Sequence, residues 1–353
     1  MKCVLHIGTE KSGTTSIQSF LQKNRGIFSD NDCYIPIAPA ISSRNFNHRK
    51  LATAMLDMDH VDDARKALEI QDADSFNTWR NVFLDQLSEE INNNNTYKNY
   101  IFSSEHLSSR LVSIDEITRL KVYLQRFFDT IEVVLYIRRQ DKYAVSLYST
   151  ALKAGSVHEF TFNYRNPVNG RFDYHMMYSK WSEVFGKNYI DVRIFERDKF
   201  YKKDLTLDFL KAVGFHENVI NGTQWLMPAK ANPSLNALGQ SYLRYYNAIN
   251  PKGLDPRLHK QRRHLIEFLE RNYGGNGYLP TQSEASEWYG FFEKVNNKLL
   301  LELGNSTEQL FDTSFDSYPK EKDHFIYTSK DLLNVSKEFS EYLTDINKLN
   351  QSR

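Results

Sequence analysis

The sequence predicts an α/β protein: a doubly wound parallel sheet with an anion-binding loop after its first strand, a helical insertion and a helical C-terminal region. Three observations predict it. Apolar runs at 3–5, 100–102 and 131–137 read as buried strands, and apolar residues at helical spacing follow them. The run His6-Ile7-Gly8-Thr9-Glu10-Lys11-Ser12-Gly13-Thr14-Thr15-Ser16 joins the first strand to the first helix, with two glycines and four hydroxyl residues where the helix begins. From 232 onward the pattern is helical throughout.

In order, residues 3–7 form the first strand and 13–24 its helix, with Ile17, Phe20 and Leu21 on the apolar face. A short strand or extended turn covers 32–36. The stretch 37–98 is mostly polar and helical. Leu51, Met55 and Leu56 mark one face, Ala64, Ala67 and Leu68 another, and Trp79, Val82, Phe83 and Leu87 a third. Residues 59–63 read as an exposed helix start and 92–95 as a solvated loop. The stretch is either a plain insertion or a lid over an acceptor. Tyr100 to Ser104 is a strand whose C-terminal end carries Glu105 and His106, where parallel sheets place their ligands. A helix covers 114–128. The strand at 131–137 runs into Arg138-Arg139-Gln140-Asp141, and a helix continues to about residue 153. A polar loop leads to 170, followed by a helix at 174–185, a strand at 189–195 and a helix at 205–213. Beyond 232, Leu235, Leu238, Tyr242, Leu243 and Tyr246 share a face, and further helices cover 258–273, 283–303 and 329–349. One domain over 1–353 accommodates these elements, with 37–98 inserted and 232–353 covering the core.

Composition narrows the function classes. The chain has 353 residues and is 41% hydrophobic, enough for a sizeable core. Its net charge of +1 implies no broad basic surface, so no nucleic-acid partner is expected and any polyanion site is local. Aromatic residues reach 14%, which suits cavities that stack on bases or sugars, although core packing accounts for most of them. The two cysteines, Cys3 and Cys33, offer no disulfide framework and belong to no metal-ligand cluster. Neither a leader nor an apolar run of about 18 residues is visible, so a soluble, cytoplasmic protein without a transmembrane segment is expected.

The first loop carries the chemistry. Unpaired backbone N–H groups and the positive end of a helix dipole meet at such a turn and make a cradle for phosphate or sulfate. Lys11 lies inside it and can lay its ammonium against the same anion. Gly8 and Gly13 have the spacing of the ATP-binding motif G-x-x-x-x-G-K-[ST], but Thr14 stands where the lysine belongs. A nucleoside triphosphatase needs that lysine on its outer phosphates, which argues against one. A second anion site is legible downstream. Arg138 ends a buried strand and Ser146 follows eight residues later on the next helix. A guanidinium fork suits a phosphate, and a helix hydroxyl can converge on it. The bland alternative is a surface arginine and an unrelated serine.

The two motifs together resemble the sulfotransferases that use PAPS (3′-phosphoadenosine 5′-phosphosulfate). Their phosphosulfate loop often reads K-[ST]-G-T-[TS], matched here by Lys11-Ser12-Gly13-Thr14-Thr15. Their 3′-phosphate site is an arginine after a strand and a serine eight residues on, matched by Arg138 and Ser146. Phe172-Asp173-Tyr174, Trp181, Val192-Arg193-Ile194-Phe195-Glu196, Asp208-Phe209-Leu210 and Asn232-Pro233-Ser234-Leu235 look like the bacterial branch thought to sulfate cell-surface saccharides. The similarity covers roughly 1–235, and the helical tail only loosely. One departure is that the glycine-bearing turn Tyr273 to Tyr278 lacks the basic residue that completes the nucleotide site in many members. Arg262 and Arg263 either substitute for it or form a solvated helix face.

The resemblance implies PAPS as co-substrate, PAP as product and no metal. It implies nucleotide binding by Lys11, Ser12, Gly13, Thr14, Thr15, Ser16, Arg138 and Ser146, and a saccharide or glycolipid acceptor. Lys11 would stabilise charge on the leaving phosphate. The general base would be Glu105 or His106, adjacent residues that point apart if they end a strand. The Ser-Ser-Glu run favours Glu105; the alternatives are a helix cap for Glu105 and a packed ring for His106. His158 and His175 are further polar candidates near the acceptor. Competing readings are a P-loop-type kinase using ATP, disfavoured by the displaced lysine, and an inactive nucleotide-binding protein, disfavoured by the retention of Lys11, Glu105, Arg138 and Ser146.

Overall fold

A computed structural model of the chain describes residues 1–40, 46–70, 72–228, 234–251, 256–304, 309–322 and 327–351. Five strands, β1 (Lys2–His6), β2 (Cys33–Tyr34), β3 (Asn99–Ser103), β4 (Thr130–Ile137) and β5 (Ile190–Ile194), form one all-parallel sheet. Their order is β2-β3-β1-β4-β5. The central position of β1 explains its unbroken apolar run: Cys3, Val4 and Leu5 are buried from both faces. Lys2 pairs with Asn99 on one side and Thr130 on the other, and His6 with Ser103 and Val134. The C-terminal end of β1 therefore sits between two neighbours, at the point where the chain's crossovers reverse direction.

The helices are α1 (Thr14–Lys23), α2 (Arg25–Asp30), α3 (Arg49–Met55), α4 (Asp63–Ala67), α5 (Ala73–Asn93), α6 (Glu105–Arg110), α7 (Ile114–Leu124) and α8 (Gln140–Ala154). After them come α9 (Tyr174–Phe185), α10 (Leu205–Ala212), α11 (Glu217–Gly222), α12 (Ala237–Ile249), α13 (Pro256–Asn272), α14 (Gln282–Gly290), α15 (Glu293–Glu302) and α16 (Ser329–Gln351). The chain divides into two compact units. The first comprises Met1–Arg139, Val168–Ala231 and Glu293–Phe311, and the second Gln140–Pro167, Asn232–Phe292 and Asp312–Arg353.

In the first unit, Val4, Ile101, Val134 and Tyr136 meet Ile17, Phe20 and Leu21 of α1 and Phe209 and Leu210 of α10. Alternate strand residues Leu5, Val133 and Leu135 are equally buried, and α9 packs on β4 and β5. In the helical second unit, Tyr242, Leu243 and Tyr246 of α12 pack with Leu265, Phe268 and Leu269 of α13, Val335 and Phe339 of α16, and Leu152 of α8.

Several local expectations are corrected. Ala67 and Leu68 are exposed, and Arg65 is the buried side chain of α4. Its guanidinium stacks 3.7 Å from the Phe76 ring and donates to the carbonyls of Met58 (2.9 Å) and His60 (3.0 Å), which offsets the desolvation of the charge. On α5 the buried stripe is Phe76, Phe83, Leu87 and Ile91, while Val82 faces water. Asp62 is not a solvated charge: it is buried, caps α4 and faces Arg49. The expected helix over 283–303 is two helices, broken after Gly290, where the N–H groups of Phe291 and Phe292 fold back onto the carbonyls of Trp288 and Tyr289. Asn232 and Pro233 lie outside the described residues.

Candidate functional site

The loop between β1 and α1 extends the sheet before it turns. Ile7 and Thr9 N–H donate to the carbonyls of Val134 (2.9 Å) and Tyr136 (2.8 Å), and the Thr9 hydroxyl donates to Tyr136 as well. The loop then closes on itself: Ser12 donates to the Thr9 carbonyl through both its N–H (3.2 Å) and its hydroxyl (2.6 Å). Lys11 (φ 66°) and Gly13 (φ 79°) take the left-handed conformation this tight return needs. A Cβ on Gly13 would stand 2.6 Å from the Phe195 ring and collide with Leu205. Helix α1 starts at Thr14, and Ser16 and Ile17 N–H return to the Gly13 carbonyl. The N–H groups of Thr14 and Thr15 lead the helix and have no acceptor within it. The expected hydroxyl donors part company here. Ser12 is fully buried and turned into the loop, Thr14 is buried, Ser16 is half-buried and Thr15 faces solvent.

Arg138 follows β4 and reaches back to this loop. Its Nη1 donates to the Lys11 carbonyl at 3.0 Å, its guanidinium lies 5.5 Å from the Phe195 ring, and its own carbonyl accepts from the Tyr174 hydroxyl at 2.6 Å. Several family-like residues have structural work. Asp173 caps α9, and buried Asp208 accepts from the Tyr136 hydroxyl (2.6 Å), Arg193 (2.8 Å) and Tyr201 N–H (2.8 Å). Ser146 lies half-buried on α8, in the second unit.

The β1–β3 register sets the other half of the site. Because His6 pairs with Ser103, and Ser104 N–H donates to the His6 carbonyl, the start of α6 lies beside the loop. Ser104 is the helix cap, which leaves the carboxylate of Glu105 for longer-range contacts. Gln18 of α1 donates to its Oε2 at 2.8 Å, and Asn47 Nδ2 stands 3.0 Å from both oxygens. Asn47 is fixed in turn by the Ser104 hydroxyl, which donates to its Oδ1 at 2.7 Å. Glu105 and His106 do not point apart, because they open a helix instead of ending a strand; His106 Nε2 is 3.8 Å from Glu105 Oε1. Burial, reinforced by the cations Arg49 and Arg110, lowers the His106 pKa to about 3, so the ring is neutral near pH 7. Beside it Arg110 bridges Glu10 (3.5 Å) and Asp63 (3.3 Å), and Arg171 approaches Glu10 from another side at 3.6 Å.

Sequence reasoning missed Gln18 and Asn47. Gln18 carried a signal, a polar residue on the apolar face of α1 between Ile17 and Leu21; Asn47 carried none. The remaining candidates lie elsewhere. His175 pairs with Glu302 at 2.7 Å, and His158 is exposed in the second unit. Arg262 is buried, with its guanidinium on the Leu152 carbonyl and the Asn247 side chain, while Arg263 is exposed. Among the described residues no group of three or more His, Cys, Asp or Glu is placed to hold a metal, and no helix is long and apolar enough to cross a membrane.

A tight turn after the central strand of a five-stranded parallel sheet, leading into a helix whose Gln18 holds the carboxylate of Glu105, makes this an α/β protein with a candidate site at the C-terminal end of the sheet. No family model matches the chain. It is 28% identical over 202 residues to an uncharacterized protein of Archaeoglobus fulgidus. That match covers 56% of this chain and 52% of the relative, so the chain spans about half of that protein's length. A crystal structure of a sulfotransferase from Alicyclobacillus acidocaldarius aligns over 86% of this chain and 95% of its own, at 12% identity and a TM-score of 0.42.

Proposed function

We propose that the chain is a sulfotransferase that moves a sulfuryl group from PAPS to a hydroxyl or amine of a saccharide, of the kind carried by cell-surface polysaccharides and glycolipids. One juxtaposition carries the reading. Helix α1 begins in a cradle headed by Lys11 and, one turn on, presents Gln18 to the carboxylate of Glu105. The group that binds an oxyanion thus heads the helix whose Gln18 holds the group that accepts a proton.

The residues fit the co-substrate. The donors are an ammonium, two leading helix N–H groups and a guanidinium braced against the loop, while the one carboxylate within the loop, Glu10, is engaged by Arg110 and Arg171. When bound, PAPS supplies a sulfuryl group activated by its link to phosphate. Transfer breaks that sulfur–oxygen bond, with the electron pair left on phosphate, and forms a new one to the acceptor atom, whose proton is lost. Lys11 and the Thr14 and Thr15 N–H groups oppose the charge left on phosphate. Arg138 is assigned to the 3′-phosphate. Glu105 takes the acceptor proton, and Gln18 and Asn47 fix its rotamer. His106, a weak base at its lowered pKa, orients the carboxylate or the acceptor.

The test has two parts. PAP is expected to raise the melting temperature, and ATP with magnesium to do so much less. Radiolabelled PAPS is then incubated with saccharides and lipid-linked sugars, and label is expected in a sugar product. Stabilisation by ATP with magnesium but not by PAP would replace this reading with the kinase.

A further inference from the structure

The helical second unit holds a cleft lined by residues of that unit alone. We infer that it binds a neutral saccharide, independently of the activity proposed above. Helix α12 has two working faces. Tyr242, Leu243 and Tyr246 bury into the core of the unit. Ser241, Arg244, Tyr245 and Ala248, at helical spacing on the other side, line a cleft of about 350 Å³ together with Val157, Tyr278, Tyr327 and Leu332. That volume falls within the roughly 300–1,000 Å³ of small-ligand sites.

The lining selects the ligand. Three tyrosines contribute rings with electron-rich faces, which pair with the polarised C–H face of a pyranose. Tyr245 is 54% exposed, a large aromatic surface left to water when nothing covers it. The polar groups are hydroxyls and one guanidinium. Ser241 Oγ and the Tyr278 hydroxyl lie 2.7 Å apart, and Arg244 is held by Glu159 at 2.9 Å. Because Glu159 neutralises Arg244, the cleft offers an anion no net positive charge. Aromatic faces ringed by hydroxyls and a guanidinium already paired with Glu159 therefore favour an uncharged sugar over a phosphate or an acidic one.

The probes are cellohexaose, maltohexaose, mannohexaose and hexa-N-acetylchitohexaose, titrated calorimetrically into the full-length protein. At least one is expected to bind, and Tyr245→Ala to weaken it roughly tenfold by removing a stacking face. Ala248→Arg, which lays a long side chain across the cleft from an exposed helix position, is expected to abolish binding even if the tyrosine variant is poorly folded. The thermal shift given by PAP should be the same in both variants, which separates this inference from the sulfotransferase reading. No binding by any of the four hexaoses, or binding that both variants leave unchanged, overturns it.

Discussion

Replacing Glu105 by glutamine is the most informative perturbation of the site. The carboxylate accepts from Gln18 Nε2 at 2.8 Å and from Asn47 Nδ2 at 3.0 Å on each oxygen. A glutamine keeps one acceptor oxygen and turns an NH₂ toward at least one of these donors, so it cannot reproduce the set in either orientation. Loss of one charge-assisted hydrogen bond costs on the order of 1.5–3 kcal/mol of stability. Loss of a general base costs roughly 100- to 10,000-fold in turnover. Two variants separate these effects. Asn47→Ala removes one donor and leaves the carboxylate, so it should match Glu105→Gln in melting temperature while retaining turnover to within about tenfold. His106→Asn should also cost little, because a ring with a pKa near 3 is already neutral. The assay is single-turnover transfer of labelled sulfuryl with PAP affinity measured in parallel, and affinity should not change in any of the three. The reasoning fails if Glu105→Gln keeps near-normal turnover, if it and Asn47→Ala lose turnover equally, or if the rate follows a single ionisation near pH ~6.5, the ordinary histidine value.

Lys11→Ala should lower turnover by a factor of roughly 100 to 1,000 with a smaller effect on PAP affinity, as expected of a donor that acts on developing charge; a raised Michaelis constant at full turnover would make it a mere anchor. Arg138→Ala should weaken PAP at least tenfold more than adenosine 5′-phosphosulfate, by loss of contacts worth about 1.5–3 kcal/mol; equal loss would mean that its hydrogen bond to the Lys11 carbonyl is its whole role. Acid should destabilise the fold well above the carboxylate range. Burial lowers His6, His48 and His106 to about 3. The unfolded chain takes up these protons near pH ~6.5 and the folded chain does not, so stability is complete above that pH and lost as pH falls toward 3. The slope is at most about 1.4 kcal/mol per pH unit for each ring. Urea midpoints between pH 7 and 4.5 test this, and a flat profile would show that the rings are protonated in place.

The strands and the loop were legible because their causes are local. A strand buried on both faces must be apolar along its length, as Cys3 to Leu5 and Ile131 to Ile137 are, and the β1–α1 turn needs glycine at a left-handed position and at a close approach. What the sequence hid depends on tertiary placement. Arg65 reads as a solvated helix charge until the Phe76 ring and two carbonyls arrive from elsewhere. Glu105 and His106 read as diverging side chains because a strand was extended over them, whereas the cap at Ser104 starts a helix. Gln18 and Asn47 lie 87 and 58 residues from Glu105, and only the alignment of β1 with β3 brings the three together.

The left-handed backbone at Lys11 has an evolutionary consequence. A side chain with a Cβ is held there at φ 66° at a cost of about 1–2 kcal/mol relative to glycine or a well-placed asparagine. Selection for thermal tolerance alone would therefore push position 11 toward glycine, and the same step would remove the ammonium from the cradle. Libraries of this chain screened by heat should enrich Lys11→Gly and Lys11→Asn, while libraries screened by sulfuryl transfer should purge both. Opposite enrichment in the two screens at one position would mark where this fold gives up durability for chemistry.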